Sequence, residues 1–128
     1  MRGPGFAFEV PPGWTVRKPQ DAAVARRGRA LVSVTRIPLL KVYDPTKFAA
    51  VARELDVLAT RLAHDAGQTT AKGETTTVAG RPVRAYRYGT RRIGFVFEGK
   101  REYQLYCAPA SAACDLLFRT FTLTGPRA

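Results

Sequence analysis

The 128-residue chain has no asparagine, one histidine, two cysteines and two serines. Each shortage removes a chemistry. A single histidine, His64, cannot supply the imidazole pair of a zinc site, and two cysteines without further ligands make a poor one. Neither serine, Ser33 or Ser111, sits in the G-x-S-x-G turn that exposes a nucleophilic hydroxyl. Carboxylates are few, 10 against 21 Lys+Arg. Glu98 and Glu102 are close in sequence, but Lys100 and Arg101 lie between them. That arrangement predicts a solvated pair rather than a general acid and base with shifted pKa values. Apolar runs are only a few residues long, so no segment reads as a membrane-spanning helix. No catalytic, cofactor-binding or metal-binding set of side chains emerges, and no cofactor is implied.

One motif needs a physical test. Gly94-Phe95-Val96-Phe97-Glu98-Gly99-Lys100 matches the phosphate-loop string G-x-x-x-x-G-K. Cradling a phosphate needs a flexible loop, a Ser or Thr after the lysine, and a helix that starts there. Here bulky residues alternate as in a strand, Arg101 replaces the Ser/Thr, and a second alternating run follows. A hairpin is the expected structure.

What is present fits one domain over residues 1–128. A chain of this size buries roughly two thirds of the surface its unfolded form exposes. Hydrophobic residues are 45% and charged residues 24%, values ordinary enough to predict a globular core. Phe6, Phe8 and Val10 alternate with Ala7 and Glu9, which predicts a strand ended by Pro11-Pro12-Gly13. Residues 22–27 and 30–37 read as a hairpin about Gly28-Arg29.

Residues 44–67 predict the one long helix. Asp44 is the N-cap, Pro45 stands at N1, and Tyr43 and Phe48 occupy hydrophobic-staple positions. Phe48, Val51, Ala52, Leu55, Ala59, Leu62, Ala63 and Ala66 form an apolar stripe, and Gly67 is the stop. His64 falls in the last turn, where an exposed position beside the negative helix end is expected. Four β segments follow, over 69–78, 82–88, 92–98 and 101–107, with tight turns between them. A short helix from Pro109 to about Leu117 and a closing strand over 118–123 complete the pattern. Runs of strands with segregated helices predict an α+β fold. The expected form is an antiparallel sheet of six to seven strands, sandwiched by the long helix and the short C-terminal one.

Cys107 and Cys114 flank the last strand-to-helix junction. A bridge would close a loop of about eight residues and contribute about 2.5 kcal/mol in the chain-entropy model. The alternative is two buried thiols acting as small hydrophobes. The start Met1-Arg2-Gly3-Pro4-Gly5 has no apolar signal-peptide region, so a chain beginning at Met1 reads as cytoplasmic. A bridge instead favours an extracytoplasmic, oxidising compartment, with Met1 then not the true start.

The net charge of +11 is unevenly placed. Residues 1–43 carry +6, the long-helix segment 44–67 carries −1, residues 68–107 carry +5 and residues 108–128 carry +1. Sixteen of the 21 cations are arginine, a usage that also reflects a GC-rich coding bias. The helix is not basic, so it offers no recognition helix for a major groove. The candidate basic binding surface is Arg26, Arg27 and Arg29, Arg84 and Arg87, Arg91 and Arg92, and Lys100 and Arg101. Arg84, Tyr86 and Tyr88 share one strand face, which suits either base stacking or tyrosine packing under an arginine.

With these residues in view, the chain resembles the PsbP-like superfamily. The likeness rests on Phe6-Ala7-Phe8-Glu9-Val10-Pro11-Pro12-Gly13-Trp14, on the hairpin and capped helix, and on Val78-Ala79-Gly80-Arg81-Pro82-Val83. It extends to Glu102-Tyr103-Gln104-Leu105-Tyr106-Cys107 and the later Cys114. That superfamily includes a photosystem II extrinsic subunit, a Ran-binding nucleotide-release factor and many bacterial envelope proteins and lipoproteins. The resemblance implies a sheet sandwiched between helices and an adaptor role. It assigns no single activity, because fold and function are separable. The expectation is a non-enzymatic binding or assembly domain of a bacterial, envelope-associated protein. Its basic sheet surface would meet a protein partner or anionic lipid. A cytoplasmic nucleic-acid-binding domain is the alternative, and a small enzyme with an unidentified site the second.

Overall fold

The computed structural model describes residues 1–124. Among these, ten strands and two α-helices follow in order. They are β1 (Arg2–Gly3), β2 (Phe6–Ala7), β3 (Thr15–Arg17), β4 (Ala22–Arg27), β5 (Ala30–Pro38), α1 (Phe48–Asp65), β6 (Lys72–Val78), β7 (Arg81–Tyr88), β8 (Arg91–Glu98), β9 (Arg101–Ala108), α2 (Ala112–Thr120) and β10 (Thr122–Leu123). Seven strands form one antiparallel sheet in the order β3-β4-β5-β9-β8-β7-β6. The fold is α+β, as the pattern predicts.

The register sorts side chains between two faces, because alternate residues of a strand point oppositely. One face carries Ala25, Val32, Val34, Val83, Ala85, Val96, Leu105 and Cys107. α2 covers it with Ala113, Cys114, Leu117 and Phe118, and the rest of this face packs against Phe6, Phe8 and Phe121. The other face presents Tyr86, Tyr88, Ile93 and Phe95 to Leu55, Ala59 and Ala63 of α1. The two helices therefore sandwich the sheet. No described helix is long and apolar enough to cross a membrane.

α1 begins as the capping residues dictate. The Asp44 carboxylate accepts from the Thr46 N–H at 3.0 Å and starts a 3₁₀ turn (Pro45–Lys47) that leads into the helix. Its end is a Schellman motif, with Gly67 N–H donating to His64 C=O at 2.9 Å and Gln68 N–H to Ala63 C=O at 2.8 Å. Gly67 takes φ +77°, open to glycine at little cost. Tyr43 stacks on Phe97 of β8, ring centroids 5.0 Å apart, and so ties the helix entry to the sheet.

β6 starts at Lys72 rather than residue 69 and α2 at Ala112 rather than Pro109, and three larger differences from the sequence pattern stand out. The 6–10 run pairs over Phe6–Ala7 alone, and it does so in a separate three-stranded sheet with β1 and β10. Its aromatic side chains are drawn to Phe121 and Tyr103, with Phe6 centroids 6.0 Å and 5.9 Å from theirs. β3 is an edge strand that the pattern does not announce, because its three residues are all exposed. Finally, Phe118 is helical rather than part of a closing strand. Ala113, Cys114, Leu117 and Phe118 recur at helical spacing and bury together, and that packing outweighs the local β tendency.

Cys107 and Cys114 are joined by a disulfide, Cα atoms 5.6 Å apart, within the ordinary range. It pins the first turn of α2 to the end of β9. The tight packing continues at Gly94, where a Cβ would lie 2.6 Å from the Phe118 ring, so only glycine admits that ring.

Candidate basic binding surface

The strand register decides which cations meet. Leu31 pairs with Ala108, Cys107 with Arg92, Arg92 with Arg87, and Arg87 with Lys72. The β4–β5 and β7–β8 turns therefore lie at the same end of the sheet. Five candidate residues lie at that end, all exposed: Arg26, Arg27 and Arg29 at the β4–β5 turn, and Arg87 and Arg91 at the β7–β8 turn, β7 lying four strand spacings from β4. Arg26 and Arg91 are on the α1 face and Arg27 and Arg87 on the other. From β4 to β6 is five strand spacings, about 24 Å. None of the five has an ion-pair partner among the described residues.

The opposite end is different in kind. Lys100 in the β8–β9 turn and Arg101 at the start of β9 lie there, exposed and apart from the other candidates. Carboxylates engage neighbouring cations at this end: Arg36 donates to Asp21 at 2.7 Å, and Arg81 pairs with Glu98. Glu98 and Glu102 point to opposite faces of the sheet, and Glu102 accepts from Gln104 at 2.7 Å, so the two carboxylates do not form a pair.

Two candidates are corrected. Arg92 is buried at 7% exposure, its guanidinium 3.9 Å from the Phe118 centroid, with Glu74 at 3.5 Å and Asp115 at 3.6 Å. Burial lowers its pKa, and Arg87 alongside adds to the effect. Arg84 faces α1 and donates to Asp56 at 2.9 Å and to Thr75 at 3.2 Å. Both arginines bind the fold together rather than face outward. Sequence spacing marks a strand position as basic without saying which face a helix will cover.

The Arg84 cluster also closes the stacking surface. Tyr86 and Tyr88 are buried beneath α1, and Arg84 lies over the Tyr86 ring at 5.2 Å. Tyr86 donates its hydroxyl proton to Asp56. Burial, reinforced by that hydrogen bond, pushes the Tyr86 hydroxyl up to about 12. The same hydrogen bond, helped by Arg84, lowers the Asp56 carboxyl against the opposing effect of desolvation.

Two cations were not among the candidates. Arg17 on β3 joins Arg26, Arg27, Thr15 and Val24 around a shallow open recess at the sheet edge. Its signal was the Thr15-Val16-Arg17 alternation after Gly13-Trp14, too short to register as a strand. Lys72 opens β6 beside Arg87. α1 reaches across β7, β8 and part of β9 only, leaving Val24, Leu31 and Ser33 half-exposed on the uncovered part of that face.

The remaining motif residues have plain positions. Gly94 to Glu98 is strand β8 and Gly99-Lys100 is its turn, so no phosphate-loop backbone exists. His64 is exposed in the last turn of α1. Among the described residues, no group of three or more His, Cys, Asp or Glu side chains is placed to hold a metal ion.

No family model and no curated protein matches the chain. A solved structure from Bacteroides thetaiotaomicron VPI-5482 is similar at 7% identity and a TM-score of 0.47. The match covers 94% of this chain and 46% of that one, so the chain spans about half its length.

Proposed function

We propose that the chain is a non-enzymatic binding domain that docks an acidic protein on the basic end of its sheet. The observation that carries this reading is the row of Arg26, Arg27, Arg29, Arg87 and Arg91 along one end of the sheet, exposed, without an ion-pair partner among the described residues, and joined by Lys72. Unneutralised cations at one end repel one another, and a complementary anionic surface relieves that repulsion while speeding encounter. A protein fits better than a bilayer. Of the four exposed large apolar side chains among the described residues, one, Val16 on β3, lies near this end, while Leu40 and Val42 lie against the opposite end of the sheet and Val57 on α1. A membrane-docking surface needs apolar and basic groups side by side. The resemblance to PsbP-like proteins, many of them adaptors, supports the same role. The disulfide fits an oxidising, envelope-type location.

The test is a titration with poly-glutamate at rising salt. Binding that weakens steeply with salt and is lost in the combined variant Arg26→Glu, Arg27→Glu, Arg29→Glu, Lys72→Glu, Arg87→Glu supports the reading. Equal binding by the variant overturns it. Capture of single-stranded nucleic acid with no affinity for poly-glutamate would turn the assignment to the alternative.

A further inference from the structure

The two edges of the large sheet are unequally protected. β3 has three residues and lies between Pro11-Pro12 and Pro19, which keeps it short. β6 has seven, Lys72–Val78, contains no proline and is mostly exposed. Its partner on one side is β7. On its other side, the described backbone makes no hydrogen bond to it.

The hairpin identifies which β6 groups are free. Val78 and Arg81 flank the two-residue turn Ala79-Gly80, and such a flanking pair exchanges both backbone hydrogen bonds. Alternation then turns Lys72, Glu74, Thr76 and Val78 inward to β7. Gly73, Thr75 and Thr77 turn their N–H and C=O groups outward. Pro82 confirms the phase: it sits opposite Thr77, at a position where β7 needs no donor. β6 thus presents three alternate outward donors and three acceptors, the template for an added strand.

The charges say what kind of strand fits. Lys72, Arg87 and Arg92 stand side by side across three neighbouring strands on one face. Like charges directly opposite one another are destabilising. Among the described residues, carboxylates come within ion-pair distance of Arg92 in this row but not of Lys72 or Arg87. On the other face, Arg84 and Tyr86 lean over Gly73, close enough that a Cβ there would lie 2.5 Å from the Arg84 guanidinium. A residue of an incoming strand beside Gly73 therefore meets a cation and an aromatic edge. A second copy of this chain would add another +11 to a sheet already basic.

We propose that β6 is a strand-addition edge that takes an extended acidic segment of a partner protein as an eighth strand. The proposal rests on the acidic-partner reading above and assigns the binding mode. An acidic side chain beside Lys72 would extend the row of Lys72 and Arg87, an uncharged one would stand beside Glu74 two residues on, and the outward groups of Gly73, Thr75 and Thr77 would supply the ladder.

The probe is a blocked octapeptide of alternating threonine and valine with one glutamate at the position facing Lys72, titrated calorimetrically into the oxidised protein at low salt. A matched peptide N-methylated at alternate residues keeps every charge but loses one set of backbone donors. Three lost hydrogen bonds predict about hundredfold weaker binding for the peptide methylated on the ladder phase. The variant Thr77→Pro removes an outward donor and leaves the β7 ladder intact, so it should fold and bind the parent peptide about fivefold or more weakly. If both methylation phases and Thr77→Pro bind like the parent, strand addition is refuted while salt-dependent acidic binding still stands. No binding of any acidic probe refutes both. A salt-resistant dimer abolished by Thr77→Pro would also overturn the proposal, assigning the edge to a second copy.

Discussion

The Arg92 guanidinium lies 3.9 Å from the Phe118 ring centroid, which links β8 to α2 across the face that also holds the disulfide. Glu74 and Asp115 supply its ion pairs, and their side chains are 55% and 67% exposed, so each can rehydrate if the arginine is lost. The Arg92 Nε is buried without a hydrogen-bond partner.

That balance predicts a split between two substitutions. Arg92→Met keeps the volume over the ring, introduces a sulfur–aromatic contact and removes an unsatisfied donor. It should cost within about 1 kcal/mol of nothing. Arg92→Ala leaves a cavity against Phe118 and loses the cation–π contact, at about 2–3 kcal/mol. Urea unfolding of both variants checks the order, and an equal loss in both would show that the charge rather than the packing matters.

Gly94 is the complementary partner of the same ring. Gly94→Ala should destabilise by about 1–3 kcal/mol, since the Cβ and the ring cannot share the space. The double variant Gly94→Ala, Phe118→Leu should recover part of the loss. Additive losses in the thermal midpoints would mean that the two positions are not coupled.

Reducing the Cys107–Cys114 bridge frees a short loop and should lower stability by about 2.5 kcal/mol. The α2 amides should then exchange faster than those of the central strands, because the bridge holds α2 to β9. Hydrogen exchange with and without reductant reads this directly; uniform loosening would argue for a global role instead.

The Tyr86–Asp56 hydrogen bond should shape both ends of the pH profile. The Tyr86 hydroxyl, held at about 12 in the fold, ionises near 10 when unfolded. The unfolded chain releases that proton first, so its stabilising contribution is full below pH 10 and is lost as pH rises through about 12. Asp56 is shifted the other way: its contribution is present above the ordinary carboxylate range and is lost as pH falls through its lowered value. Tyr86→Phe should flatten both limbs, most of all the alkaline one. An unchanged alkaline limb would assign that slope to Tyr88 and Tyr103, whose hydroxyls burial also raises.

The sequence by itself determined the elements whose signals are local. Asp44, Pro45 and Gly67 mark both ends of the long helix because capping and stop signals act within one turn. Alternation marks β7, β8 and β9 because a pleated strand has a period of two. The cysteine pair was legible too, since its spacing allows closure across one junction. Tertiary structure alone decided the rest. Register is a non-local property, and it divided nine basic candidates into an exposed end, a distant turn and two arginines folded into packing. It brought Arg17 and Lys72 to that exposed end, and it left the side of β6 away from β7 unpaired among the described residues. Composition counts charges; only strand order and face burial determine which of them neutralise each other and which remain to attract a partner.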